Sequence, residues 1–172
     1  PLLVLRAQSG PVEVYYSIED SFGGVSELNP RRTLTVDMDP PQLLNPADHL
    51  EFVTPPAPFV DETYLSNHPL VAFHVPPYTG RSNKDTIHFY VSNLANPPVA
   101  GEDGIYELVS DSDPLVAWLT ADAFRTLSNG DAYVFFRVFD EAGNYSDRSA
   151  GLPFQLALTA LPGPRPIPSI VP

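Results

Sequence analysis

Residues 132–146 read AYVFFRVFDEAGNYS, and residues 12–26 read VEVYYSIEDSFGGVS. The two stretches align without a gap. Asp20 and Asp140, Gly23 and Gly143, and Ser26 and Ser146 each stand 120 residues apart. Gly10 and Gly130 keep that spacing upstream; Leu34, Val36 and Met38 meet Phe154, Leu156 and Leu158 downstream. Alternate positions (12/132, 14/134, 16/136, 18/138) are apolar in both copies. The positions between them are mixed and include Glu13, Ser17 and Arg137. Successive residues of a strand point to opposite faces. Val134, Phe136 and Val138 are therefore expected in a core, and Tyr133, Phe135, Arg137 and Phe139 on the outer face. The next strand reads the same way, with Phe154, Leu156 and Leu158 inward.

A period of 120 residues suits one β-sandwich domain with enlarged loops. It divides the chain into residues 1–38, the last strands of one repeat; residues 39–160, a complete repeat; and residues 161–172, a Pro-rich linker or the start of another. Within the complete repeat, seven short strands are expected: Leu50–Val53, Leu70–Val75, Thr86–Ser92, Ile105–Val109, Leu115–Leu119, Ala132–Asp140 and Pro153–Leu158. Thr120–Leu127 is the one helical stretch, too short for a packed helix and suited to a single turn crossing between sheets. Trp118, Phe73, Phe89 and Phe136 are expected to fill the core. The fold class is all-β.

The turn 140–146 has a physical logic. Asp140 can accept bonds from backbone amides, and Gly143 supplies a positive φ. Asn144 tolerates a left-handed conformation, and Ser146 can bond the backbone where the next strand starts. Asp20, Gly23 and Ser26 repeat the pattern, with Gly24 in place of Asn144. This motif resembles the penultimate strand and final hairpin of bacterial immunoglobulin-like repeats, which are related to fibronectin type III domains and occur in large surface and adhesin proteins. The resemblance implies immunoglobulin-like β-sandwich repeats, one complete and flanked by partial ones, in an extracellular protein at a bacterial cell surface. It also implies partners that are neighbouring repeats or further copies of the chain.

Composition narrows the chemistry. The chain has 172 residues, 21 prolines and no cysteine. So many prolines disfavour helices and central strands. The lack of cysteine removes disulfides, thiolate metal sites and cysteine nucleophiles. A net charge of −12 argues against nucleic acid and anionic membranes as partners, and no apolar run approaches the ~20 residues of a membrane-spanning helix. The chain opens at Pro1 rather than Met, which reads as an internal fragment or a processed protein.

No catalytic motif stands out, neither a G-x-S-x-G elbow nor an H-E-x-x-H helix, so no enzyme is expected. His49, His68, His74 and His88 are scattered, with His74 and His88 outward on strands of opposite sheets, and no metal site is expected from them. Calcium is the one cofactor left open, by the acidic turns Glu102-Asp103, Asp111-Ser-Asp113 and Asp140-Glu141, although none has the spacing of a calcium loop. Tyr133, Phe135, Arg137 and Phe139 form a candidate binding face for sugar or protein, extended by His88 and Tyr90 if their strand shares the sheet. The bland alternative is a face covered by a loop or a neighbouring repeat.

Two isolated strands are marginal in water, so residues 1–38 need completion. Three arrangements satisfy that need: strand complementation between chains in a head-to-tail fibre, packing on the full repeat of the same chain, or a window on a longer repetitive protein. The leading functional expectation is a structural repeat of an adhesin, stalk or fibre. The rival is a recognition module for a host or surface ligand.

Overall fold

In a computed structural model, residues 9–15, 17–27, 31–98, 101–108 and 113–158 are described. The expected tail 161–172 and Asp111 lie outside them. The fold is all-β. Val71, Phe73 and Val75 alternate with half-exposed residues, and this period of two builds β7 (Leu70–His74). β7 sits between β5 (Glu51–Phe52) and β10 (Val116–Thr120) in a three-stranded antiparallel sheet. A second sheet has the order β6-β12-β11-β8-β9, with β6 at Val60–Asp61, β12 at Leu152–Ala157, β11 at Gly130–Phe139, β8 at Thr86–Ser92 and β9 at Gly104–Glu107. Its pairs are antiparallel except β12 with β6, which is parallel.

The two sheets face each other across one core. Phe73 lies 5.9 Å from Phe89 between ring centroids, and Phe52 lies 6.0 Å from Phe154. Val134, Phe136 and Val138 are fully buried in that core, as the alternation predicts, and Phe154 and Leu156 join them. Leu158 is partly buried against it.

Three expectations need correction. Trp118 is 36% exposed and stacks edge-on against Tyr106, because the parity of β10 turns Ala117 and Leu119 inward instead. The crossing segment does pack. In α2 (Ala121–Arg125), Phe124 is fully buried, 5.6 Å from Phe154 and 6.5 Å from Phe73. Finally, β6 and the short α1 (Glu62–Asn67) fill a stretch read as loop. Asp61 caps α1 by accepting from the Tyr64 amide at 2.7 Å.

The N-terminal stretch forms two ladders: β1 (Gly10–Val14) with β4 (Arg32–Val36), and β2 (Ser17–Glu19) with β3 (Val25–Glu27). Their register repeats that of β11. Gly10 faces Val36 and Val12 faces Leu34, just as Gly130 faces Leu156 and Ala132 faces Phe154. Glu19 faces Val25, as Phe139 faces Tyr145. The 120-residue offset therefore holds for all five pairs of β1 with β4 and for Glu19–Val25, while Ser17–Glu27 and Ile18–Ser26 pair as a ladder only in the first copy. Among the described residues, neither ladder joins either large sheet.

Candidate functional site

The repeated turn is built from the aspartate outward. The Asp140 amide donates to the Asn144 carbonyl at 3.0 Å, and the Gly143 amide donates to the Asp140 carbonyl at 3.1 Å. Asp140 Oδ1 accepts from the Asn144 amide at 2.8 Å. The first copy repeats all three bonds with Asp20, Gly23 and Gly24, at 2.9, 3.1 and 2.8 Å. Gly23 and Gly143 adopt φ of 82° and 89°. Among the described residues, none other than glycine has a positive φ, so Asn144 is not left-handed as expected. Its side chain acts instead. Nδ2 donates to Asp140 Oδ2 at 2.9 Å and to the Asp37 carbonyl at 3.2 Å, tying the turn to the segment that follows β4. Ser26 lies in β3 opposite Ile18. Ser146 is buried, and its Oγ accepts from the Val138 amide at 3.0 Å.

The outer face of the five-stranded sheet carries the candidate binding residues. Strand pairing sets Phe135 beside Tyr90, Arg137 beside His88 and Phe139 beside Thr86, so β8 does extend the face. The rings form a chain of contacts. Tyr133 stacks on Phe135, His88 stacks on Phe139 at 3.9 Å, and Phe139 meets Tyr145 at 5.1 Å. The Arg137 guanidinium lies over the Tyr145 ring at 5.2 Å.

Part of this face is already covered. Phe135 is 2% exposed. The Arg148 guanidinium lies 4.8 Å above its ring, fixed by the Pro97 carbonyl and Asn96 Oδ1 at 2.8 and 3.0 Å. Gly151 crosses so close that a Cβ there would sit 2.7 Å from Phe135 Cε1. Phe135 is thus unavailable to a ligand, while Tyr133, Arg137 and Phe139 stay half-exposed and Tyr145 is exposed. Burial lowers the pKa of His88, and Glu102, 4.0 Å from its Nδ1, opposes the shift weakly. Next to Tyr145, a cleft of about 550 Å³ is lined by Pro40, Pro41, Gln42, Leu43, Pro46, Asp147 and Arg148. Sequence reasoning missed this cleft because its two walls are about 100 residues apart in the chain.

The acidic turns have local tasks. Asp113 pairs with Arg81 at 2.6 Å, Glu141 with Lys84 at 2.7 Å, and Asp103 accepts from the Val91 amide at 2.7 Å. His49 and His68 each bond a nearby carbonyl, of Ala47 and Tyr64, and His74 and His88 lie on strands of different sheets. Among the described residues, no three His, Cys, Asp or Glu side chains gather in a metal-binding group. Among them too, no helix is long and apolar enough to cross a membrane. No family model, no curated protein and no solved structure matches the chain.

Proposed function

We propose that the chain is a stretch of an immunoglobulin-like repeat array with a structural, non-enzymatic role in an extracellular stalk, adhesin or fibre of a bacterial surface. The carrying observation is the pair-by-pair repetition of strand register at 120 residues, from Gly10–Val36 to Gly130–Leu156. Strand order supports the immunoglobulin-like reading. The chain changes between the sheets β5-β7-β10 and β6-β12-β11-β8-β9 at β5–β6, β6–β7, β7–β8, β9–β10 and β10–β11. Crossings from β7 to β8 and from β10 to β11 between two mainly antiparallel sheets characterise that class of sandwich. Neighbouring repeats are then the main partners, and the acidic surface keeps the array soluble. A second reading is a recognition module for a surface or host glycan or protein. It is favoured by the cleft beside exposed Tyr145, whose ring is backed by a guanidinium with no carboxylate partner among the described residues.

Force spectroscopy on the parent protein separates the two readings. An array gives evenly spaced unfolding steps on the order of 400 Å, from ~3.4 Å per residue over one repeat. Uneven steps, or none, refute the array. Tight, saturable binding of the chain on a glycan array, abolished by Tyr145→Ala, promotes the recognition module above the stalk.

A further inference from the structure

We infer that the inward face of the β1–β4 ladder is a docking surface, and that its occupant is a segment built like residues 39–128 in an adjoining repeat of the same polypeptide. The inference rests on the array reading and names the partner it requires. In the complete copy, β11 carries β8 on its free edge, with Val134 facing Val91, and β12 carries β6, with Leu156 facing Val60. At the same register, Val14 and Val36 have no such neighbour among the described residues.

The side chains of this face are sorted for burial except Arg32, which faces Val14 at its end and stands where Leu152 faces Val134 in the complete copy. Leu34 is 55% and Ile18 49% exposed, whereas their counterparts Phe154 and Val138 are 8% and 0% exposed. Bulk is retained across the pair: Val12 faces Leu34 where Ala132 faces Phe154. The opposite face holds Glu13, Thr33 and Thr35, which are polar and exposed. An amphipathic two-stranded ladder of this kind cannot offset its own ordering in water. A second folded copy is a poor occupant, because its β6 and β8 are already held by its own β12 and β11. A segment tethered to the ladder competes at high effective concentration.

The chain has no cysteine, so single introduced cysteines report burial cleanly. The test compares the chain as it stands with an extended chain in which a copy of residues 39–128 directly precedes residue 9. The expected result for Leu34→Cys is labelling by a thiol reagent at about the rate of Thr35→Cys in the chain itself, and at least ~100-fold more slowly in the extended chain. Thr35→Cys should label fast in both, and Ala117→Cys, at a fully buried position of the three-stranded sheet, slowly in both. Amide hydrogen exchange on the cysteine-free chains gives a second readout, with β1 amides slowed by a similar factor on extension.

Fast labelling of Leu34→Cys and unprotected β1 amides in the extended chain, with Ala117→Cys still slow, overturn the docking surface and leave the complete repeat standing. Fast labelling of Ala117→Cys in the unextended chain overturns the repeat reading and the inference with it. Protection of Leu34→Cys in the unextended chain that grows with concentration, alongside dimers in sedimentation, overturns the adjoining repeat in favour of a second copy.

Discussion

Ser146 and Ser149 do with hydroxyls what an unbroken strand does with carbonyls. Regular pairing of β11 with β12 ends at Val134–Leu152. Beyond it, the buried amides of Phe136 and Val138 donate to Ser149 Oγ and Ser146 Oγ, both at 3.0 Å, while the carbonyls of the same two residues accept from the serine amides. Replacing either serine by alanine strands a buried donor, which costs about 1–3 kcal/mol. Ser146→Ala and Ser149→Ala are each expected to lower unfolding stability by that amount in urea titrations with an unchanged slope; losses below ~0.5 kcal/mol would mean water replaces the hydroxyl.

His88 makes a second residue-level prediction. Burial lowers its folded pKa below the unperturbed 6.5, so the unfolded chain binds the proton more readily. Stability therefore falls as pH drops through the unfolded value. His88→Gln should flatten the fall in Tm between pH ~7 and ~5, and parallel profiles for the two proteins would refute this linkage. Neither prediction was open to sequence alone. The repeat marked Ser146 as a bonding residue but gave no partner, and His88 was known only to face outward.

At the scale of elements, parity was legible and coverage was not. The two copies differ mainly on the solvent side, which is why comparing them assigned the buried face of β11 correctly. Trp118 was assigned to the core by residue type; the buried alternation of Ala117 and Leu119 in its own strand, continued by Leu115 just before it, points it outward. β6 was invisible because two residues paired in parallel to β12, nearly a hundred positions away, leave no local pattern. The covering of Phe135 was equally hidden, since Arg148 and Gly151 reach it only after the 146–151 segment folds back over the sheet. That closeness is testable. Gly151→Ala places a methyl 2.7 Å from Phe135 Cε1 and 2.9 Å from Cζ. The ring is wedged between Arg148 and the sheet, so overpacking should cost about 1–3 kcal/mol. Thermal unfolding checks this, and an unchanged Tm would mean the segment lifts away freely.

For the whole molecule, the repeat predicts which part stands alone. The core of residues 43–158 is closed by its own strands, and every pair in both large sheets lies within it. Among the described residues, a hydrogen bond that crosses the boundary runs from Asn144 Nδ2 to the Asp37 carbonyl, exposed and at 3.2 Å. A single exposed hydrogen bond contributes about 0.5–1.5 kcal/mol at most. Removing residues 1–38 should therefore leave the remainder folded, with its stability changed by no more than about 1.5 kcal/mol and its Tm by less than ~6 °C. The first copy has Gly24 where Asn144 stands, so Asn144→Gly in the full chain removes the same tie without deletion. It should leave Tm within the same range and broaden the distance distribution in small-angle scattering, because the N-terminal ladders then swing more freely. A Tm loss of more than ~8 °C on removing residues 1–38 would mean that the ladders contribute to the core of the complete repeat, and the division of the chain near residue 38 would be wrong.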